Sequence, residues 1–513
     1  MAHVETGKRP LRTKAVASVP AHGQVADLVP EVRATGWLAP ALLGVVLITI
    51  LRVFLLAYDR TDLFVDEAQY WLWAQDLAWG YYSKPPLIAA VIGAATWLAG
   101  SDSPFWVRMP APILHAVTAL LLGTIAAKIS RKAAIVVALG YVTLPMVAVG
   151  SALISTDTVM LPLLALALLA YLNAANPGEV RARLAWATLC GVALGLAFLA
   201  KYAAIYFLLG AAAAWATDRS LRLSRQGYLL ASVAFLLTIA WNLRNGFVTV
   251  VHTMDNADWS PNEPTPLGSH LLGLAEFVSS QFAVFGPLVF GVLIVALLGR
   301  QTVGTTRMHR LALSFCWPVL GVVCLQAFAS HAYANWAAAA YIGGSLLVFP
   351  MLLEMRRVWL VLSFVLNGAI ALALPLTTIE ADRLTVGQNQ LLLERYVGQA
   401  AMSRWIIAEA RSAGLSTIVA EDRGILADLF YTGRDSGLSF EAVPPTGRPR
   451  NHYALKYPYT PSGKGDFLFV SLEAAPPACR PEAEPLASLS AETGTHRAVP
   501  VTLYRISGYC WDY

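Results

Sequence analysis

Two adjacent carboxylates, Asp66 and Glu67, stand in the stretch Phe64-Val-Asp-Glu-Ala-Gln-Tyr70-Trp71, and a lysine follows in Gly80-Tyr-Tyr-Ser-Lys84-Pro-Pro-Leu87. A carboxylate held beside a hydroxyl can take its proton, and a cation aimed from a turn stiffened by two prolines can hold a phosphate. Each feature also has a plainer reading. Acids are favoured in the first turn of any helix, and a lysine flanked by apolar runs can snorkel to a membrane surface. Further along, Asp157 sits in Leu153-Ile-Ser-Thr-Asp-Thr158, where it could line a cavity or cap a helix. Arg108, in Trp106-Val-Arg-Met-Pro110, and Lys201, in Phe198-Leu-Ala-Lys-Tyr202, each open or close an apolar run.

The elements that must position these residues are membrane helices. The 513-residue chain is 57% apolar and 13% charged, about half the charge of a soluble globular chain. That balance excludes a soluble enzyme, and no basic, aromatic-studded face points to nucleic acid. From Trp37 to about Pro375 the apolar runs approach bilayer-spanning length, at 37–58, 108–127, 133–151, 157–174, 185–200, 202–217, 227–244, 273–298, 311–329, 335–353 and 358–377. The count of transmembrane helices is therefore about eleven. The run Pro85–Leu98 is too short and reads as a re-entrant or interfacial helix within one long loop, 59–107, rich in interface-seeking Trp and Tyr.

Basic residues cluster in alternate loops: Lys128, Arg131 and Lys132; Arg181 and Arg183; Arg219, Arg222 and Arg225; Arg300, Arg307 and Arg310; Arg356 and Arg357. The positive-inside rule then places the N-terminus in the cytoplasm. Asp66, Lys84, Arg108, Asp157 and Lys201 all fall on the opposite, outer face. Residues 1–36 read as a disordered cytoplasmic tail and an uncleaved signal-anchor start. Residues 37–378 form the membrane domain. Residues 379–513 change to dense charge and many prolines and are predicted to fold outside as a small α/β domain, with helices over Arg395–Ala413 and Gly424–Tyr431. Strands are expected at Ser416–Ala420, Asp466–Leu472 and Val501–Ile506. Cys479 and Cys510 both fall in this domain, where an oxidising periplasm would permit a disulfide. The polar clusters Glu421-Asp422-Arg423 and Asn451-His452-Tyr453 read as strand ends without catalytic roles. The loop 245–272, with His252, Asp255, Asn256, Asp258 and Trp259, reads either as a substrate cover or as a solvated connection.

Together, the Asp66-Glu67 pair, Ser-Lys84-Pro-Pro-Leu, Val-Arg108-Met-Pro and Ser-Thr-Asp157 resemble the polytopic GT-C glycosyltransferases. The branch is that of protein O-mannosyltransferases and lipid A aminoarabinose transferases. His331-Ala-Tyr-Ala-Asn335-Trp-Ala337 resembles a further element of that branch, and Asp-Glu-Ala-Gln-Tyr-Trp is closest to a subgroup that includes lipopolysaccharide galacturonosyltransferases. The resemblance implies a polytopic all-α membrane protein with an extracytoplasmic α/β domain in the bacterial inner membrane. It implies inverting transfer of one sugar from a polyprenyl-phosphate donor to lipid A, lipopolysaccharide core, another glycan, or a protein. On this sequence Asp66 would be the general base, Glu67 its assistant or an acceptor ligand, and Lys84, Arg108 and Lys201 the donor-phosphate ligands. Tyr82, Asp157, His331 and Asn335 would line the cavity. No metal or other cofactor is required: lysine and arginine can stabilise a phosphate leaving group, although Asp66, Glu67 and His331 could hold a divalent ion. A lipid-linked sugar flippase or transporter is the rival, disfavoured because the chain lacks paired broken segments in two halves.

Overall fold

The computed structural model describes residues 35–244, 267–298, 306–387, 390–460, 465–473, 475–497, 499–507 and 510–511. Residues 1–34, which hold nearly all of the expected tail, and 245–266, which hold most of the expected covering loop, lie outside the described residues, as does Arg300.

A helix of leucine, valine and isoleucine, α1 (Leu38–Leu56), opens the membrane part, and most of its surface is left for lipid. Its one charge, Arg52, turns inward. Its guanidinium donates to the Val142 carbonyl at 2.7 Å and to Ser151 Oγ at 3.3 Å. These partners flank a break: the helices Arg131–Val142 and Pro145–Ala152 meet at 51°. Pro145 lacks an N–H and so cannot continue the ladder, and Arg52 satisfies a carbonyl released there.

Six helices among the described residues are long and apolar enough to cross a membrane, or seven if the bent pair is one span. They are α1, Pro104–Ala126, Thr156–Ala175, Val180–Ala200, Arg307–Ala329 and Arg357–Ile379. The other runs of the expected eleven form shorter, broken or less apolar helices. The runs 202–217 and 335–353 form short helices, Tyr206–Thr217 and Ala340–Glu354. The run 227–244 lies in the Arg225–Arg244 helix, whose apolar residues are interspersed with Gln, Tyr, Ser, Thr and Asn, and it is not among the six. The run 273–298 breaks at Gly286 into Leu267–Phe285 and Pro287–Leu298. Gly286 has φ +96°, a conformation side chains rarely adopt, and a Cβ there would lie 2.2 Å from Asn367 Oδ1.

Between α1 and the next span lie two helices that carry the carboxylate pair and follow the lysine, α2 (Val65–Gln75) and α3 (Leu87–Ala99). At 13 residues α3 is shorter than the length a bilayer span needs. It ends at Gly100, left-handed at φ +61°, with Trp97 and Leu98 exposed. The Thr156–Ala175 helix is almost wholly buried, the central post of the bundle.

The C-terminal segment holds a five-stranded sheet in the order β4-β3-β5-β7-β6, built from β3 (Thr417–Ala420), β4 (Ser439–Ala442), β5 (Phe467–Ser471), β6 (Pro485–Leu489) and β7 (Val501–Ile506). A small hairpin, β1 (Thr385–Val386) with β2 (Gln390–Leu391), precedes it. β3 runs parallel to β4 and β5, whereas β7 is antiparallel to its neighbours. β3 and β5 are buried along their whole length. The strands β4 and β6 lie where no strand is expected from the sequence. Helices Gln399–Ser412 and Arg423–Thr432 accompany the sheet, and the second packs on α2. Trp71 meets the Tyr431 ring edge-on at 5.0 Å, and Tyr431 Oη donates to the Asp102 carbonyl at 2.6 Å. Cys479 and Cys510 form a disulfide, with Cα atoms 5.5 Å apart.

Candidate functional site

The N-terminus of α2 is set by Glu67, whose carboxylate reaches back to accept from the Phe64 N–H at 3.0 Å, closing the first turn. Asp66 and Glu67 are neighbours on a helix, so they point about 100° apart, and they meet different surroundings.

Glu67 faces the membrane bundle and is sealed. It accepts from Arg108 Nη2 at 2.7 Å and Nε at 3.0 Å, and from the Ile154 N–H at 2.9 Å. Arg108 is saturated as well. Nη1 donates to Thr61 Oγ1 at 2.8 Å and Asp59 Oδ2 at 3.2 Å, and Nη2 to the Asp62 carbonyl at 2.7 Å. The Glu67, Arg108 and Asp59 side chains are 2–4% exposed. Burial pushes the Asp59 carboxyl up against the opposing pull of Arg108. The network joins the end of α1, the start of α2, the start of the second span and the turn before Asp157.

Asp66 faces the other way. It pairs with Arg423 Nη2, while Arg423 Nε donates to Gln69 Oε1 at 2.9 Å. Both side chains of this ion pair are about 40% exposed. Burial works against the charge of Arg423, but the adjacent Asp66 carboxylate outweighs it and raises the guanidinium pKa. Arg423 Nη1 makes no hydrogen bond among the described residues. Asp422 caps the helix that Arg423 begins, accepting from the Ile425 N–H at 2.9 Å.

Asp157 begins the central post beside its N-cap Ser155. Its carboxylate accepts from Lys201 Nζ at 2.7 and 2.8 Å and from Asn335 Nδ2 at 2.9 Å. Three distant turns thus converge on one carboxylate.

Lys84 projects from the turn between α2 and α3. Tyr81 stabilises that turn, stacking on Trp73 at 4.5 Å and donating to the Trp73 carbonyl at 2.9 Å. The Lys84 ammonium makes no hydrogen bond or ion pair among the described residues. Burial lowers its pKa from the ordinary lysine value; Lys201 and Arg423 act in the same direction, and Asp66 and Asp157 oppose them. Buried Tyr70 feels Asp66, Arg423, Asp157 and Glu67, and burial raises its pKa well above normal. Lys84 and Tyr70 therefore tie the Asp66/Arg423 pair and the Asp157 cluster into one electrostatic neighbourhood, at the same end of the bundle.

Of the residues singled out from sequence, Asp66, Lys84, Asp157, Lys201 and Asn335 are brought into this neighbourhood. Glu67 and Arg108 stand beside it but are committed to each other. Tyr82 turns to the C-terminal domain, donating to the Pro449 carbonyl at 2.8 Å. His331 is exposed against the Tyr333 and Trp336 rings, its Nδ1 3.4 Å from Ser330 Oγ. No group of three His, Cys, Asp or Glu side chains among the described residues could hold a metal, which leaves the Asp66, Glu67 and His331 ion site without support. Arg423 carries no role in the sequence reading, which places Glu421-Asp422-Arg423 at a strand end; only the packing of its helix on α2 reveals its contact with Asp66.

The chain has similarities to known proteins across nearly all its length. A family described as "Dolichyl-phosphate-mannose-protein mannosyltransferase" matches residues 83–243. A "Lipid A galacturonosyltransferase RgtD" from Rhizobium johnstonii is 36% identical over 468 residues, covering 90% of this chain and 97% of that protein. Among solved structures, ArnT from Cupriavidus metallidurans superposes with a TM-score of 0.59 without ligand, covering 91% of this chain and 98% of that one. With undecaprenyl phosphate bound it gives 0.60, covering 92% and 98%. Sequence identity is 14% in both cases, a likeness of fold.

Proposed function

The chain belongs to the GT-C family of membrane glycosyltransferases, and from that premise we propose that it moves one sugar from a polyprenyl phosphate to lipid A or a related envelope glycan. The observation that carries this reading is the Lys84 ammonium, uncommitted and partly desolvated among Asp66, Asp157, Lys201 and Arg423. A cation with no hydrogen-bond or ion-pair partner among the described residues, inside such a cluster, suits an anionic ligand, and the phosphodiester of a lipid-linked sugar brings one negative charge.

In the reaction, Asp66 takes the proton of the acceptor hydroxyl. The oxygen attacks the anomeric carbon from the face opposite the phosphate, and the bond from that carbon to the phosphate oxygen breaks. The electron pair leaves on the prenyl phosphate, where Lys84 stabilises the second negative charge. Asp157, fixed by Lys201 and Asn335, shapes the wall around the sugar. Glu67 and Arg108 act one step back, holding the start of α2 in place so that Asp66 is aimed.

The lipid acceptor is favoured over a protein because the relative matched from end to end is named for lipid A, whereas the protein mannosyltransferase family matches only part of the membrane region. The same reading puts the site and the sheet domain on the periplasmic face of the inner membrane, with the N-terminus in the cytoplasm. Mass spectrometry of lipid A and core oligosaccharide from a deletion strain, complemented with wild type or Asp66→Asn, tests it. A hexuronate-sized loss in the deletion and the variant, restored by wild type, supports it. Unchanged lipopolysaccharide in the deletion strain would refute the envelope-lipid acceptor.

A further inference from the structure

The proposed base is not free: in the ligand-free protein its carboxylate is held by the guanidinium of Arg423, delivered from the C-terminal domain. The contact occupies one carboxylate oxygen, Oδ1, and holds the side chain toward the C-terminal domain. Freeing the whole carboxylate requires the guanidinium to be drawn off, and what draws an arginine from a carboxylate is another cluster of anionic oxygens.

The surroundings of Arg423 favour such an exchange. Both members of the pair are about 40% exposed, in contrast to the sealed Glu67/Arg108 pair at 2%. Only Nε and one Nη2 contact are used, leaving Nη1 to receive a ligand. Gln69 anchors the Nε edge at 2.9 Å, so the fork can pivot without leaving the site. Lys84 feels Arg423 through space, so an anion approaching one cation approaches both.

On the reading under Proposed function, we infer that Arg423 is a ligand-exchanged residue. An anionic oxygen group of the donor takes its guanidinium from Asp66, so that donor binding both fills the site and uncovers the base. Two groups on the donor have this chemistry, the phosphate and, in a hexuronate, the sugar carboxylate.

The test uses the full-length protein in detergent or nanodiscs, with undecaprenyl phosphate as the first probe. If the phosphate is the exchanging group, Arg423→Ala weakens binding of this probe about tenfold or more, the scale of a lost charge-assisted hydrogen bond, and Arg423→Lys recovers part of it. If the carboxylate is the group, Arg423→Ala binds undecaprenyl phosphate normally. It then raises KM for a polyprenyl-phosphate hexuronate while leaving KM for the matching neutral hexose donor unchanged. Loss of kcat alone, with probe affinity and both KM values unchanged, would overturn the inference and reduce Arg423 to a prop for Asp66. A wild-type protein that neither binds the probe nor transfers sugar would overturn the underlying glycosyltransfer chemistry as well, and so is distinguishable from failure of the Arg423 inference alone.

Discussion

Asp66 and Glu67 are adjacent, identical in charge, and each paired with an arginine, yet the two pairs are built for different purposes. Glu67 and Arg108 spend every polar atom on fixed partners and are shut off from solvent. Asp66 and Arg423 bridge the helical bundle and the C-terminal sheet region, remain about 40% exposed, and leave donor capacity unused among the described residues. A saturated buried pair resists rearrangement, because moving either member strands the other's charge. An open pair can exchange partners at modest cost. The lesson is that chemical identity says little about role; the number of remaining commitments says more.

The comparison breaks most visibly in activity. Asp66→Asn is expected to lower turnover by about 10²–10⁴-fold, the range for losing a general base, while thermal stability and membrane abundance stay near wild type. Single-turnover assay of purified protein measures the first, and fluorescence size-exclusion profiles the second. Arg108→Ala should do the reverse in kind. It leaves Glu67 and Asp59 buried without their counter-charge, a destabilisation of about 3–5 kcal/mol, read as a collapse in folded yield. A well-folded Arg108→Ala protein with weak donor binding would return Arg108 to the donor site.

Lys84→Ala should raise KM for the donor by about tenfold to a hundredfold with a smaller change in kcat. Because burial lowers the Lys84 pKa, the wild-type ammonium is lost sooner than an ordinary lysine's as pH rises, and donor affinity should fall on the alkaline side. Lys84→Arg, which keeps its charge, should flatten that limb in a pH profile of kcat/KM. An alkaline limb identical in wild type and Lys84→Arg would assign it to another group.

The smallest effect concerns a carboxylate with no ion-pair partner among the described residues. Asp428, 1% exposed in the Arg423–Thr432 helix, has its pKa pushed up by burial to about 6 from 3.8. The folded state then binds the proton more tightly than the unfolded chain, so its contribution to stability declines as pH rises from about 4 through about 6. His452, pushed down by burial to about 4 from 6.5, slopes the other way, adding stability as pH rises across nearly the same window. Asp428→Asn should raise Tm by a few degrees near pH 7 and expose the histidine's rising slope. A melting curve series from pH 4 to 7 checks both.

The parts legible in the sequence are those governed by local spacing. Acids and bases beside apolar runs mark one end of the bundle, and alternate basic loops mark the other. Lys201 and Asn335 were both singled out, yet their shared attachment to Asp157 depends on chain separations of 44 and 178 residues. Glu67 differs from Asp66 only by a helical turn angle, which does not say what lies on each side. Arg423 was hidden because its partner belongs to a different region of the chain. What apolar run length does not show is where single residues break a helix: Pro145 bends one run, and Gly286, pressed on Asn367, splits another.

Arg423 lies 357 residues beyond Asp66, and chain synthesis runs in that direction. The long apolar helices and both carboxylate turns are therefore synthesised before the arginine that pairs with Asp66. A polypeptide interrupted before residue 423 carries Asp66 and Lys84 but lacks Arg423, and so is chemically incomplete on the proposed reading. On the proposed reading, the last residue to join the site is therefore synthesised long after the others, beside the sheet at the C-terminal end of the chain.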